Sequence, residues 1–324
     1  MRADAHAAAS PAARLPLIDA ARGLAIAAMV VYHFSWDLRY FGYITANVTE
    51  DFGWRLFARL IAGSFLFIVG VSLVLASRSG FNRARYLRRL AVIAAAAAAI
   101  TLATYFVFPD SFVFFGILHH IAAASVLGLA FVNAPILLVA AAAVASFMAP
   151  PLLSGPAFDS PALLWLGLAS HLPRTNDFVP IFPWFGVVLA GISAARLVQR
   201  LRPQGLSQAS VLARRVPRQL VFAGRHSLVI YLLHQPFLFG LVFLAAQLAP
   251  PSFAGFEPSV VENCTRACVE SEVETAICRR TCACIAGRLQ AEGLWGDVMR
   301  QTLSAEQEQR YFALSDRCRA AAER

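Results

Sequence analysis

The first long apolar stretch, AARGLAIAAMVVYHFSWDL at residues 20–38, carries polar side chains whose spacing places them together on one helix. At 3.6 residues per turn, Arg22 and His33 share nearly one face and stand about 16 Å apart along the axis. Asp19 lies three residues before Arg22 and Asp37 lies four after His33, so both carboxylates occupy neighbouring surface. Because charges inside a membrane span are costly, they are usually paired or functional. The stripe predicts a site that reaches from one side of a membrane into its outer half.

The chemistry that this stripe offers is proton transfer. Histidine suits a general base at neutral pH, because its unperturbed pKa is about 6.5. Asp37 could orient the imidazole of His33 and stabilise its charged form, as in a catalytic triad. The structural alternative is that Asp19 and Arg22 lie at the interface and that His33 is hydrogen-bonded within a bundle. The alignment of four polar groups favours a functional site.

Further polar side chains lie at the ends of other apolar segments or within them. The alternative to a functional role is a buried hydrogen-bonding role for two of the histidines, and a loop carboxylate or a helix N-cap for the aspartate. These residues are His119 and His120 in FFGILHHIAA, Asp177 before VPIFPWFGVVLAG, and His234 in GRHSLVIYLLHQP. These structural alternatives concern His120, His234 and Asp177.

The composition is that of a polytopic membrane protein. Of 324 residues, 58% are hydrophobic and 15% are charged, with a mean hydropathy of +0.61. A soluble domain has about 25% charged residues. All 28 basic residues are arginine, which excludes lysine Schiff-base chemistry and a P-loop.

The apolar segments predict an all-α membrane bundle. A helix needs about 20 apolar residues to cross the hydrocarbon core. We predict a cytoplasmic tail at 1–16, a transmembrane domain at 17–248 and a soluble tail at 251–324. The glycines Gly63 and Gly70 in the second helix are interpreted as sites of close helix packing. Seven segments qualify as spans, at about 17–36, 56–77, 90–108, 115–132, 134–152, 180–198 and 226–248.

Arginine placement predicts the orientation. The loops 78–89 and 196–225 carry five and seven arginines and no acid, so both are expected in the cytoplasm. The loops 37–53 and 154–179 carry acids and fall on the other side. Seven spans then place the N-terminus inside and the C-terminal tail outside. The positive net charge is explained by topology, and no nucleic-acid partner is expected.

All six cysteines lie in the tail, and the first four follow the pattern C-x3-C-x9-C-x3-C. A spacing of four residues puts two thiols on one helix face. Two antiparallel helices joined by Cys264–Cys282 and Cys268–Cys278 would fit, with Cys284–Cys318 pinning a third. Six cysteines allow fifteen pairings, and a single unbroken helix would need partners elsewhere. A metal site is the other alternative, but the tail has no histidine. We expect disulfides, which persist outside the cytoplasm.

Five segments in order resemble a known family: LIDAARGLAIAAMVVYHFSWDL, SFLFIVGVSLVLASR, FFGILHHIAA, VPIFPWFGVVLAGI and GRHSLVIYLLHQP. Over about residues 14–245 the chain resembles the bacterial branch of the heparan-alpha-glucosaminide N-acetyltransferase catalytic-domain family. The Arg-x10-His arrangement is also similar to that of the wider membrane acyltransferase superfamily. The tail lies outside this resemblance. Heparan sulfate is not carried over as the acceptor, because the chain lacks the large luminal domain of the lysosomal enzyme.

The resemblance implies transfer of an acetyl or other acyl group from cytoplasmic acyl-CoA to a sugar or glycan acceptor across a bacterial inner membrane, with acetyl-CoA as the expected donor. His33 matches the histidine proposed as catalytic, and Arg22 matches the arginine directed towards the acyl donor. We expect Asp37 to assist His33, which acts as a general base or is itself acetylated. The expected phosphate-binding residues are Arg83, Arg85, Arg88 and Arg89. The expected acceptor or oxyanion residues are His119, His120, Asp177 and His234. No metal is expected.

Two other functions remain open at this stage. A proton-coupled transporter would also place histidine and carboxylates inside a bundle, but no inverted repeat or broken helix pair is evident. A structural membrane protein whose tail recruits a periplasmic partner is the second alternative.

Overall fold

The computed structural model describes residues 15–78, 81–201, 216–249, 257–271, 273–300 and 303–323. Within these ranges the chain is helical and forms no β-strand, which confirms the all-α prediction. Residues 1–14 of the predicted tail and part of the 196–225 loop, with Arg202, Arg214 and Arg215, lie outside the described residues. The helices are α1 (Pro16–Tyr40), α2 (Phe52–Arg78), α3 (Arg83–Val107), α4 (Ile117–Val132), α5 (Ile136–Leu153), α6 (Ile181–Leu201), α7 (Arg218–Arg225), α8 (Ser227–Leu248), α9 (Glu257–Val269), α10 (Thr275–Ala291), α11 (Trp295–Arg300) and α12 (Ala305–Ala322).

Six of the described helices are long and apolar enough to cross a membrane: α1, α2, α3, α5, α6 and α8. The seventh predicted span is shorter than expected, because α4 has 16 residues. At 1.5 Å per residue it extends about 24 Å, less than the hydrocarbon thickness of about 30 Å. The predicted seven spans are thus six of full length and one short apolar helix.

Charged side chains hold both ends of α4. The Asp177 carboxylate accepts a hydrogen bond from the backbone N–H of Ile117 at 2.9 Å. At the other end, the Arg196 guanidinium donates to the carbonyl oxygens of Ala134 and Phe131. An acid at the N-terminus and a base at the C-terminus complement the helix dipole and satisfy unpaired backbone groups. These contacts fix where α4 begins and ends.

The arginines at 83, 85, 88 and 89 lie on a helix, although the sequence analysis assigned them to a loop. The α3 helix begins at Arg83, because the Asn82 side chain caps it by accepting a hydrogen bond from the Arg85 N–H at 2.9 Å. Arginine is also a good helix former. The apolar span therefore has a basic first two turns.

The chain divides into two compact units, Met1–Met29 with Phe57–Leu233 and Val30–Leu56 with His234–Arg324. In the first unit, α2 and α6 pack backbone against backbone. A Cβ at Gly70 would overlap the Val188 carbonyl oxygen, and one at Gly191 would overlap the Phe67 carbonyl oxygen. Gly70 is therefore a close-packing position, as predicted. Gly63 is not, because its nearest neighbour is the Trp184 ring at 4.0 Å.

In the second unit, the tail helices enclose a small apolar core of Leu289, Leu294, Trp295 and Leu314. Three disulfides join these helices and confirm the suggested pairing: Cys264–Cys282, Cys268–Cys278 and Cys284–Cys318. The first two connect α9 with α10, and the third connects α10 with α12. The cross-links stabilise a domain whose core alone is small.

Replacing Gly70 or Gly191 by alanine should destabilise the bundle by about 1–3 kcal/mol, because a methyl group would push α2 and α6 apart. Thermal unfolding of detergent-purified protein would measure the loss. Gly63→Ala is the matched control on α2 and should leave the unfolding temperature unchanged or raise it, since alanine favours helix. Equal destabilisation by all three variants would contradict the close packing.

We expect α4 to cross the membrane despite its length, because an odd number of crossings places the arginine-rich loops and the disulfide-bonded tail on opposite sides. Alkaline phosphatase, which is active only outside the cytoplasm, would be fused after Asp110 and after Asn133. The fusion after Asp110 should be active and the one after Asn133 inactive. Activity in both would show that α4 does not cross.

Candidate functional site

In the second unit, α1 and α8 bring two histidines together. The rings of His33 and His234 stand 5.0 Å apart between centroids at an interplanar angle of 63°. On the other side of His33, the Tyr32 ring lies edge-on at 5.6 Å. His33 as a whole residue is half-buried. Thus the structure places the predicted catalytic histidine beside one of the predicted acceptor residues.

One turn along α1, a carboxylate and an amide form a second pair. Asp37 is fully buried, and its Oδ1 accepts a hydrogen bond from Gln235 Nε2 at 2.7 Å. The spacing on α1 predicts that Asp37 orients His33, yet Asp37 makes its hydrogen bond to Gln235 instead. Gln235 directly follows His234, so α8 presents an imidazole and an amide from adjacent positions.

Two acceptor atoms of this pair have no hydrogen-bond partner among the described residues: Asp37 Oδ2 and Gln235 Oε1. A buried acceptor without a donor costs about 1–3 kcal/mol, and native structures retain few of them. These two acceptors are therefore polar atoms that the packing of α1 and α8 leaves without a donor. His33 and His234 thus offer ring nitrogens that can accept a proton. Asp37 and Gln235, on the same two helices, offer buried oxygens that can accept hydrogen bonds.

In the first unit, the other half of α1 carries a charge cluster. Asp19 is buried and accepts hydrogen bonds from two arginines, Arg22 at 3.5 Å and Arg225 at 3.4 Å. Arg22 also donates to the Ser72 hydroxyl at 2.6 Å. Two guanidinium groups on one carboxylate leave a net positive charge, which suits an anionic ligand.

Glycines let α1 and α7 approach closely enough for this cluster to form. A Cβ at Gly23 would overlap the Leu220 carbonyl oxygen, and one at Gly224 would overlap the Asp19 carbonyl oxygen. Arg225, the residue after Gly224, is thereby held against Asp19. The cluster therefore depends on backbone contact between the two helices.

Three other predicted residues hold the start of α4, also in the first unit. His119 Nε2 lies 3.1 Å from the Thr101 hydroxyl, and its Nδ1 accepts the Gly116 N–H at 3.2 Å. His120 is fully buried, with Nδ1 3.1 Å from the carbonyl oxygens of Val179 and Pro180. The structural alternatives weighed for His120 and Asp177, a buried hydrogen-bonding residue and a helix cap, are the observed arrangements.

Asp177 is electrostatically unusual for a residue in a connecting segment. Burial raises the pKa of its carboxyl group, and the hydrogen bond from the Ile117 N–H opposes that rise. The carboxyl group is enclosed where α4 begins. Its role in acceptor binding stays a prediction.

Three polar residues of these clusters were not singled out in the sequence: Ser72, Arg225 and Gln235. Ser72 and Gln235 lie within apolar helices, where a polar side chain is itself a signal of a partner or a site. Their partners could not be read from the sequence, because each contact joins helices far apart along the chain.

The apolar helices and the polar clusters that they carry define a multi-pass membrane protein. A family model, heparan-alpha-glucosaminide N-acetyltransferase, catalytic, matches residues 14–236, and the chain belongs to that family. The matched region contains both polar clusters, and it supports a membrane acetyltransferase. Comparisons with curated proteins and with solved structures gave no match.

Gln235→Leu should destabilise the protein by about 1–3 kcal/mol, because it leaves the buried Asp37 carboxylate without its donor. Thermal unfolding in detergent would measure the change. The control is Gln247→Leu on the exposed surface of α8, which should be neutral. Adding Asp37→Asn to Gln235→Leu should recover part of the loss, since an amide is less costly to bury than a carboxylate. Equal effects of the two leucine variants would contradict the importance of the Asp37–Gln235 bond.

Proposed function

We propose that this protein transfers an acetyl group from cytoplasmic acetyl-CoA to a sugar or glycan acceptor on the other side of the membrane, with His33 as the general base. The observation that carries the proposal is the His33–His234 pair beside the Asp37–Gln235 pair, within the region matched by an acetyltransferase family. A proton acceptor and nearby groups that accept hydrogen bonds are what an attacking hydroxyl or amine requires.

The donor would be held by arginines. Coenzyme A carries phosphates, and bidentate guanidinium contacts suit phosphate oxygens. Arg22 and Arg225 share one carboxylate, which leaves positive charge for the donor. On α3, the exposed side chains of Arg83, Arg85, Arg88 and Arg89 face an unfavourable helix dipole, and a bound anion would relieve this cost.

In the reaction, His33 removes a proton from the acceptor hydroxyl or amine, whose oxygen or nitrogen attacks the thioester carbonyl carbon. A bond from that atom to the acetyl carbon forms and the carbon–sulfur bond breaks. The coenzyme A thiolate receives a proton as it leaves. Asp37, one turn further along α1, would stabilise the positive charge that develops on His33. The oxyanion would require a donor, for which His234 and His119 or His120 are candidates.

The proposed setting is the inner membrane of a bacterium, with the N-terminus in the cytoplasm and the tail in the periplasm. The arginines of α3 and the start of α7 support a cytoplasmic location for those ends. The three disulfides support an oxidising location for the tail.

Sealed vesicles would test the proposal, with radiolabelled acetyl-CoA on the cytoplasmic face and glucosamine with a cell-envelope glycan fraction on the other. Wild type should label the far-side acceptor. His33→Gln should lower transfer at least about 100-fold, because the reaction loses its general base. The control is His171→Gln, a histidine exposed in the α5–α6 connection, which should transfer normally.

The assay also separates this function from the alternatives. Normal transfer by His33→Gln would exclude the assigned role of this residue. Absence of both acetyl-CoA binding and transfer in wild type would overturn the acetyltransferase proposal and favour the transporter.

A further inference from the structure

The second unit contains a cleft that the proposed chemistry does not use. It has a volume of about 280 Å³, and its walls come from the outer end of α1, from the loop after it and from the tail. Lining residues include Trp36 and Arg39 of α1, Glu50 of the loop, Asn263 of α9 and Met299 of α11. The volume is just below the range of small-molecule sites, which begins at about 300 Å³.

One wall of the cleft is an aromatic platform. The rings of Trp36 and Tyr40 are stacked, with centroids 5.3 Å apart and an interplanar angle of 19°. Tyr40 is held from another side by Phe239 at 5.4 Å and by Phe41 at 5.1 Å. Both rings of the platform are half-buried, so they present surface to the cleft. Stacked aromatic rings bind the flat C–H face of a sugar ring.

A second wall is polar and is ordered by its own hydrogen bonds. Asn47 Nδ2 donates to Glu50 Oε2 at 2.8 Å, and the Thr49 hydroxyl donates to Asn47 Oδ1 at 3.1 Å. The Asn47 backbone N–H donates to Asp51 at 3.1 Å. A carboxylate, an amide and the Arg39 guanidinium thus offer both donors and acceptors, which hydroxyl groups on a sugar rim need. Because the loop is already ordered, a ligand loses less binding energy in ordering it.

The third wall belongs to the tail. Asn263 lies on α9 directly before Cys264, which is bonded to Cys282 on α10. The disulfide holds the turn of α9 that carries Asn263. Residues of the tail therefore form part of the wall of the cleft.

We propose that this cleft binds a sugar ring of the acceptor and that the tail is a substrate-recognition domain. The inference rests on the proposed acetyl transfer and assigns a binding site to its sugar acceptor. Trp36 lies three residues after His33, so a sugar on the platform is held about one helical turn from the proposed base. Acceptor specificity then depends on a domain outside the matched acetyltransferase region.

The test uses the full chain in detergent, without acetyl-CoA, and measures the Kd of a glucosamine trimer by calorimetry. Trilysine is the control ligand, because it carries amino groups with positive charge but no sugar rings. Trp36→Ala and Asn263→Ala should each raise the Kd of the trimer about tenfold, and trilysine should bind weakly to all proteins. Trp36→Phe keeps an aromatic ring and should show a smaller effect. Gln309→Ala, on the exposed surface of α12, should bind as wild type does.

Transfer assays on the same variants separate this inference from the proposed function. The expected result is a raised KM for the acceptor with kcat little changed. If His33→Gln abolishes transfer while Trp36→Ala and Asn263→Ala change neither Kd nor KM, the cleft is not the acceptor site. If wild type binds trimer through Trp36 and Asn263 but transfers nothing, the enzymatic proposal fails and the sugar site stands. Wild-type binding of trilysine as tight as that of the trimer, or no binding of the trimer, would overturn the carbohydrate assignment.

Discussion

A polar group inside an apolar bundle must find a partner within the protein, and this requirement governs the described structure. Helix α1 carries two such groups in its two halves. Asp19 is paired with Arg22 and Arg225, and Asp37 is paired with Gln235. Each pairing joins α1 to a helix more than a hundred residues away in the chain. The cost of burying charge therefore also specifies which helices become neighbours.

The same requirement explains the contacts at the two ends of α4, the helix that is shorter than the hydrocarbon core is thick. Backbone groups at the ends of α4 cannot rely on water, so Asp177 and Arg196 supply a hydrogen-bond acceptor and donor. His120 adds contacts to Val179 and Pro180, which lie just before α6. Helix α4 is consequently bound at its start to the α5–α6 connection and at its end to α6. Such double attachment makes this region a rigid part of the first unit.

The spacing of residues along the chain predicts much of the fold and part of the candidate site. Thiols at four-residue intervals sufficed to suggest the disulfide pairing, because two antiparallel helices can match such intervals in one way. The apolar runs located the helices, since their lengths reflect bilayer thickness. The stripe on α1 pointed to His33 before any contact was known.

What the sequence did not reveal were contacts between distant segments. Nothing in the run around His234 shows that its ring meets His33, or that Gln235 takes the role expected of His33 as partner of Asp37. The first turns of α3 were assigned to a loop because they are charged, although the Asn82 cap starts the helix there. Hydropathy locates the apolar part of a helix, so it does not show that α3 begins with two polar turns. The cleft joins α1 to a tail more than two hundred residues later, so no local pattern could indicate it.

The distribution of cysteine has a practical consequence for studying the bundle. All six thiols are consumed in the tail disulfides, and no free cysteine is present. Helix α1, which carries both His33 and Arg22, has none. A single cysteine placed on α1 or α8 would therefore be the one reactive group available to a maleimide dye or a spin label. Site-specific spectroscopy of the membrane region requires no removal of native residues, and the covalent links of the tail stay intact throughout.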